Sequence, residues 1–121
     1  MVKPSVKKQN ESINAERQKL MDIFTDILPE DQMAVAEKLI DRIAFMSETL
    51  KNLENDIKSK GATYKFQNGK QEMIIENPSQ KSYSTLVNRY TAACKELFNL
   101  LSKEQQSKVE DDGFDSFLDK K

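Results

Sequence analysis

The sequence predicts a mainly α-helical bundle in which two long antiparallel helices are joined by a β-hairpin and preceded by an N-terminal helix. Three observations predict this fold. Apolar residues recur in steps of three and four along two long segments, which indicates helices. The 121-residue chain contains only three Gly and three Pro, so most of it is free to be helical. An Asn-Gly pair, typical of a tight hairpin turn, lies between the two segments.

The first helix is predicted to follow a basic, flexible arm of residues 1–10. It runs from Glu11 to Leu28, and either Asn10 or Ser12 can cap its start, because a short polar side chain accepts a hydrogen bond from the first turn. Pro29 ends it, since the residue before a proline is biased away from helical angles. The apolar residues at helical spacing are Ile13, Leu20, Phe24 and Ile27.

The second helix carries the strongest periodicity and is predicted over Glu30 to Lys60. Pro29 suits its first position, and acids in the first turn favour the positive end of the helix dipole. An alternation sustained over three heptads is typical of a helix packed along its whole length. Ile40 and Phe45 lie off this seam, so the apolar face is wide, which favours bundle packing. The seam residues are Ala36, Leu39, Ile43, Met46, Leu50, Leu53 and Ile57.

A β-hairpin is predicted after Gly61, which ends the second helix. Asn68-Gly69 is the preferred pair for a two-residue type I′ turn. An isolated hairpin is marginal in water, so its apolar face either packs on the helices or pairs with hairpins of other subunits. The predicted cross-strand pairs include Lys65 with Glu72 and Tyr64 with Met73. The apolar face consists of Tyr64, Phe66, Met73 and Ile75.

The third helix is predicted to begin at Asn77-Pro78, with the Asn as N-cap and the Pro in the first turn. It ends near Lys103 and closes a helical and hairpin oligomerisation domain of residues 11–103. Residues 104–121 are then an acidic C-terminal tail without sustained periodicity. The alternation of this third helix is carried by Tyr83, Leu86, Tyr90, Ala93, Leu97 and Leu100.

The composition argues against an enzyme. The chain has no His, which removes the commonest general base and metal ligand, and it carries no Gly-rich phosphate loop or Cys/His cluster. Cys94, the one cysteine, lies in an apolar helical pattern and is interpreted as a buried packing thiol. No apolar run approaches the roughly 18 residues that span a bilayer. We therefore expect a cytoplasmic protein without cofactor, metal or membrane association.

The charge is unevenly distributed, although the net charge is only −1 at pH 7. Residues 1–10 carry three lysines and no acid, and residues 58–95 carry seven basic residues against two acidic ones. Residues 104–121, in contrast, are rich in acids. A polyanion could therefore meet the basic parts while the tail repels it. Ordinary solvated surface explains the same lysines, and charge alone leaves both interpretations open.

Several of these signals occur in an order found in a known family. A long helix ends at LKNLENDIKSKG, a turn follows at QNG, and ENPSQKSYSTLVNRYTAACKELFNLL restarts a helix. This order resembles the small subunit of phage terminases, the DNA-packaging recognition proteins of tailed phages, over roughly residues 28–101. The positions that carry the resemblance are Gly61, Asn68, Gly69, Asn77, Pro78, Leu97 and Leu101.

The resemblance implies a non-catalytic subunit that assembles into a ring, binds double-stranded viral DNA at the packaging start and regulates the large ATPase and nuclease subunit in the infected bacterial host. Candidate DNA-binding residues are Lys3, Lys7, Lys8, Lys58, Lys60, Lys65, Lys70 and Arg89. Candidate oligomerisation residues are Leu39, Ile43, Met46, Leu50, Leu53, Ile57, Tyr90 and Leu97. Candidate contacts with the large subunit are Phe114, Phe117 and Leu118, which a solubilising tail explains equally.

Two other functions are compatible with the sequence. A helical adaptor whose seams bind partner helices explains the periodicity and the charge balance without DNA. An accessory subunit of an unrelated enzyme is the third hypothesis. The hairpin aromatics Tyr64 and Phe66 likewise allow two interpretations, since they could stack on bases or pack on a neighbouring helix. Affinity for DNA separates the adaptor from the packaging protein.

Overall fold

The fold is described by a computed structural model for residues 4–111. It confirms the mainly helical class and contains a small two-stranded antiparallel sheet. Along residues 4–111 the helices are α1 (Val6–Thr25), α2 (Glu30–Lys60), α3 (Pro78–Phe98) and α4 (Lys103–Asp111). The strands β1 (Thr63–Asn68) and β2 (Gln71–Glu76) form the hairpin between α2 and α3.

Helix α1 begins at Val6 rather than at Glu11, so the prediction that residues 1–10 are a flexible arm is wrong for its second half. The hydroxyl of Ser5 caps the helix by accepting a hydrogen bond from the backbone N–H of Lys8 at 3.1 Å. The helix can start here because the residues after Ser5 include two Lys and a Gln, which are good helix formers. The helix also ends earlier than predicted, at Thr25.

Helix α2 is central and packs against both α1 and α3. Both neighbours are antiparallel to α2, because residues later in α1 or α3 form hydrogen bonds with residues earlier in α2. On the α1 side these bonds join Asn52 to Gln9 and Asp41 to Arg17; on the α3 side they join Asp56 to Asn77 and Glu54 to Tyr83. The N-terminal helix is therefore a third member of the bundle.

The seam of α2 is used largely inside the chain. Ile40, predicted to lie off the seam, is fully buried, whereas Phe45 is 59% exposed. The reason is that two helices pack on α2, so its buried face is wider than one heptad seam. Four of the eight candidate oligomerisation residues are consequently inaccessible to another subunit: Ile43, Leu50, Tyr90 and Leu97. The other four are partly buried: Leu39, Met46, Leu53 and Ile57.

Within residues 4–109, one carboxylate is buried: that of Glu48, which is only 7% exposed. Its Oε1 atom has no hydrogen-bond partner within residues 4–111, and the ammonium of Lys51 lies 3.8 Å away. We expect Glu48→Leu to raise the free energy of unfolding by about 1–3 kcal/mol, because it removes an unsatisfied buried acceptor. Urea denaturation measures this, with Glu11→Leu at an exposed position as the control. A lower midpoint for Glu48→Leu than for the unaltered chain would contradict the prediction.

The hairpin forms where predicted, but its register differs by two residues. The turn residues are Gly69 and Lys70, and the cross-strand pairs are Lys65 with Ile74, Phe66 with Met73 and Gln67 with Glu72. Gly69 has a φ of +64°, and no residue other than glycine has a positive φ within residues 4–111. A positive φ at the first turn position alone is the pattern of a type II′ turn, so Asn68 is left in the strand.

The predicted acidic tail begins later than residue 104, because Lys103–Asp111 form α4. A capping box starts this helix: Ser102 Oγ accepts from the N–H of Gln105 at 3.2 Å, and Gln105 Oε1 accepts from the N–H of Ser102 at 2.8 Å. Gln105 Nε2 also donates to the carbonyl of Ile27 at 3.0 Å. Val109 is fully buried in the core, so α4 belongs to the folded domain.

Candidate nucleic-acid interface at the hairpin end

One end of the bundle gathers the start of α1, the end of α2, the hairpin and the start of α3. We call this region, residues 4–12 and 51–83, the hairpin end. Two hydrogen bonds place the first turns of α1 beside the last turns of α2: Asn52 Nδ2 to Gln9 Oε1 at 3.0 Å, and Lys51 Nζ to Ser12 Oγ at 3.5 Å. Lysines that are far apart in sequence therefore share one region of the molecule.

The hairpin end is the positive part of the described molecule. It contains eight lysines and five acidic residues, a net charge of +3. The other described residues, 13–50 and 84–111, contain eight basic and twelve acidic residues, a net charge of −4. A net charge near zero thus conceals two regions of opposite sign, and the positive region would attract a polyanion.

Six of the eight candidate DNA-binding residues lie at the hairpin end with exposed side chains. They are Lys7 and Lys8 in α1, Lys58 and Lys60 at the end of α2, Lys65 in β1 and Lys70 in the turn. The charge of Lys60 is partly offset, because its Nζ lies 3.3 Å from Asp56 Oδ1. For the other five, no ion pair is recorded within residues 4–111, so their ammonium groups are available to phosphates.

The remaining two candidates do not join this group. Lys3 lies outside the described residues. Arg89 is exposed on α3, about 9 Å along the helix beyond Tyr83 at 1.5 Å per residue. It therefore lies next to the hairpin end and not within it. Conversely, Lys51 and Lys81 are exposed at the hairpin end although neither was a candidate. Counting every basic residue of residues 51–83 would have added both lysines to the candidates.

The base of the hairpin is held by a polar cluster around Asp56 and Asn77. Asp56 Oδ2 accepts from Ser79 Oγ at 2.6 Å and from Asn77 Nδ2 at 3.3 Å. Asn77 is 2% exposed; its Nδ2 also donates to the carbonyl of Gly61 at 3.0 Å, and its Oδ1 caps α3 by accepting from the N–H of Ser79 at 3.0 Å. The predicted N-cap is confirmed, and it also joins the end of α2 to the start of α3.

This cluster lowers the pKa of Asp56, chiefly through the hydrogen bond from Ser79 and further through Lys60 and Asn77. A carboxylate whose pKa is lower in the folded than in the unfolded state stabilises the fold fully above the unfolded pKa. That contribution is lost as the pH falls through the folded pKa. The hairpin base is therefore expected to weaken in acid and to stay intact at neutral pH.

The strands of the hairpin project apolar side chains into solvent. Phe66 and Met73 are a cross-strand pair on one face, 43% and 50% exposed, and Ile74 on the other face is 72% exposed. Only Tyr64 and Ile75, the pair next to the base on the first face, are half-buried. The expectation that this face packs on the helices therefore holds near the base alone. Phe66 is exposed within the positively charged hairpin end, an arrangement that suits stacking on a base as well as protein contact.

No helix within residues 4–111 has the length and apolar character needed to cross a membrane. Comparisons of the chain with models of known protein families, with curated proteins and with solved structures give no match. The candidate contacts with a large subunit, Phe114, Phe117 and Leu118, lie outside the described residues.

Proposed function

We propose that this protein is a non-catalytic, DNA-binding subunit of the phage terminase small-subunit type, which assembles with copies of itself and regulates a large ATPase and nuclease subunit. The observation that carries the DNA-binding part is the net positive hairpin end, to which α1, α2 and the hairpin all contribute exposed lysines. The order of helix, Gly, Asn-Gly pair, Asn-Pro and helix supports the family part.

DNA binding at this surface would depend on phosphate contacts. Lysine ammonium groups neutralise phosphates and release condensed counterions, so affinity falls steeply as salt is raised. Such contacts position the protein and carry no sequence information by themselves. Exposed Phe66 could add stacking where DNA is opened, whereas none of the three long helices presents an exposed face that is basic throughout. We therefore propose backbone binding at the hairpin end as the main source of affinity.

Removing three of these lysines should weaken DNA binding strongly. In the full chain, Lys58, Lys65 and Lys70 are replaced together by Gln, and affinity for a duplex is measured by fluorescence anisotropy at several salt concentrations. Each phosphate contact contributes about 0.9 to the slope of log affinity against log salt concentration. Loss of three contacts should therefore reduce the magnitude of that slope by up to about 3 and lower the affinity at 0.1 M salt roughly 10²-fold. The side chains are exposed, so the fold should be unaffected.

A matched variant controls for net charge. Lys19, Lys38 and Lys95 are exposed lysines outside the hairpin end, and their joint replacement by Gln removes the same charge. This control should keep nearly the whole salt slope. Equal losses in the two variants would mean that binding follows net charge and not the hairpin end. Absence of duplex binding by the unaltered chain at low salt would reject the DNA-binding function itself.

The alternative function, a helical adaptor without DNA binding, is supported by a separate observation. Val35 and Phe45 on α2 are 53% and 59% exposed, so part of that helix carries apolar surface that the chain does not cover. A partner helix could bind there. The same DNA titration decides between the two functions, because an adaptor with a net charge of −1 should show no affinity at moderate salt.

A further inference from the structure

The apolar face of the hairpin is uncovered and lies in a positive region. Phe66 and Met73 are about half exposed as a cross-strand pair, and the face they share carries no charged residue. The surrounding hairpin end has a net charge of +3. A ligand for this face should therefore combine large apolar side chains, which bury Phe66 and Met73, with negative charge, which the lysines of the hairpin end attract.

Charge selects between two ways in which a second copy could cover this face. Pairing of two hairpins would bring two regions of net charge +3 together, and like charges at an interface oppose association. An acidic segment meets no such opposition. Residues 110–119, EDDGFDSFLD, contain five acids, no base and three large apolar residues. They are the segment of this chain that has the required chemistry.

The chain's own segment begins far from its own hairpin. Helix α4 lies at the opposite end of α2, because Gln105 binds the carbonyl of Ile27. The length of α2 separates the two ends by about 45 Å at 1.5 Å per residue. Leu118 lies seven residues beyond Asp111 and can extend at most about 25 Å. A hairpin folded back along α2 would bring Phe66 about 10 Å nearer, and the turns of α4 after Gln105 would bring Asp111 at most about 9 Å nearer. Even then the remaining gap of about 26 Å exceeds the full extension of the segment. We therefore assign the contact to another copy.

We propose that the segment Phe114–Leu118 of one copy binds the Phe66–Met73 face of the hairpin of a second copy. The contact is head to tail, since each copy offers a hairpin to one neighbour and a segment to the other. Repetition of such a contact closes into a ring or extends into a filament. The inference specifies the self-association included in the proposed function, assigns Phe114, Phe117 and Leu118 to a neighbouring copy, and does not depend on DNA binding.

The first test compares the mass of full-length variants in solution by light scattering on a sizing column. The hairpin variant carries Phe66→Ser and Met73→Ser, and the segment variant carries Phe114→Ser, Phe117→Ser and Leu118→Ser. The unaltered chain should exceed the mass of a dimer, and each variant should fall to the single-chain mass of 13.9 kDa. Ile74→Ser, an exposed change on the other face of the hairpin, should leave assembly unchanged.

Mixing the two variants gives the decisive result. The segment variant retains an intact hairpin and the hairpin variant retains an intact segment, so one contact can form between them. A 1:1 mixture should produce a species of about twice 13.9 kDa and nothing larger. Raised salt should shift this species toward monomer, because the contact is partly electrostatic.

Several outcomes would overturn the proposal. A monomeric unaltered chain excludes preformed head-to-tail contacts, and assembly of the segment variant alone would indicate hairpin-to-hairpin pairing. A mixture that stays monomeric, with both variants folded by circular dichroism, would also reject it. DNA affinity of the monomeric variants is measured separately. If the unaltered chain binds a duplex but does not assemble, the proposed contact is rejected and the DNA-binding function is not. If it assembles as described but does not bind a duplex, the DNA-binding function is rejected and the proposed contact is not.

Discussion

Replacing Val109 by Asp is expected to release α4 from the bundle and to lower the free energy of unfolding by about 2–4 kcal/mol. Val109 is fully buried, and an unpaired carboxylate at that position would lose its hydration without gaining a partner. The chain can avoid this cost by undocking α4, so the free energy of unfolding cannot fall by more than the free energy that docking of α4 contributes. Undocking also breaks the hydrogen bond from Gln105 Nε2 to the carbonyl of Ile27.

The measurement combines urea denaturation with limited proteolysis. Trypsin should cleave after Lys103 or Lys108 faster in Val109→Asp than in the unaltered chain, because an undocked helix frays. Ser107→Asp is the matched control, since it adds the same charge to an exposed position of α4. It should leave both the midpoint and the cleavage rate nearly unchanged. Equal behaviour of the two variants would mean that α4 is not part of the core.

Replacing Asn77 by Ala is expected to lower the free energy of unfolding by a similar amount, about 2–4 kcal/mol. Loss of the N-cap accounts for about 1 kcal/mol of this. The rest follows because Asp56 and the Gly61 carbonyl each lose a hydrogen bond in a site where Asn77 is 2% exposed. The end of α2 is then no longer joined to the start of α3 by this side chain.

Two further variants separate the roles of this side chain. Asn77→Ser keeps a cap oxygen but lacks the amide donor, so its stability should lie between those of Asn77→Ala and the unaltered chain. Asn68→Ala, in the exposed part of the hairpin, should change stability by less than about 0.5 kcal/mol. If Asn77→Ala were as mild as Asn68→Ala, the polar cluster would not be what holds the hairpin base.

The bounds of α2 and the existence of the hairpin could be predicted because local signals agree there. Gly61 ends α2 with a φ of +87°, and Asn77 caps α3. The hairpin register could not be predicted from alternation, since a shift of two residues leaves every side chain on the same face. The register depends on which two residues form the turn, and the pair Asn68-Gly69 is compatible with more than one turn type.

Other differences arise from tertiary packing. Helix α4 contributes a single apolar residue, Val109, to the core, so the sequence has no apolar periodicity that would predict this helix. The capping box of Ser102 and Gln105 is the one local signal from which its start could have been predicted. The positive region was only partly predictable. Its lysines are dispersed along the sequence, and Lys7 joins Lys58 only because α1 packs antiparallel to α2. For the same reason seam residues expected at a subunit interface, such as Ile43, are buried within one chain.

Hydrogen exchange of the full chain, with and without a DNA duplex at low salt, shows whether the hairpin end binds DNA. Binding at the hairpin end should slow amide exchange in β1, β2 and the last turns of α2, and in the first turns of α1, where the exposed lysines lie. Exchange around Ile27 and α4, at the opposite end, should not change. Protection confined to that opposite end, or no protection anywhere, would contradict the proposed interface.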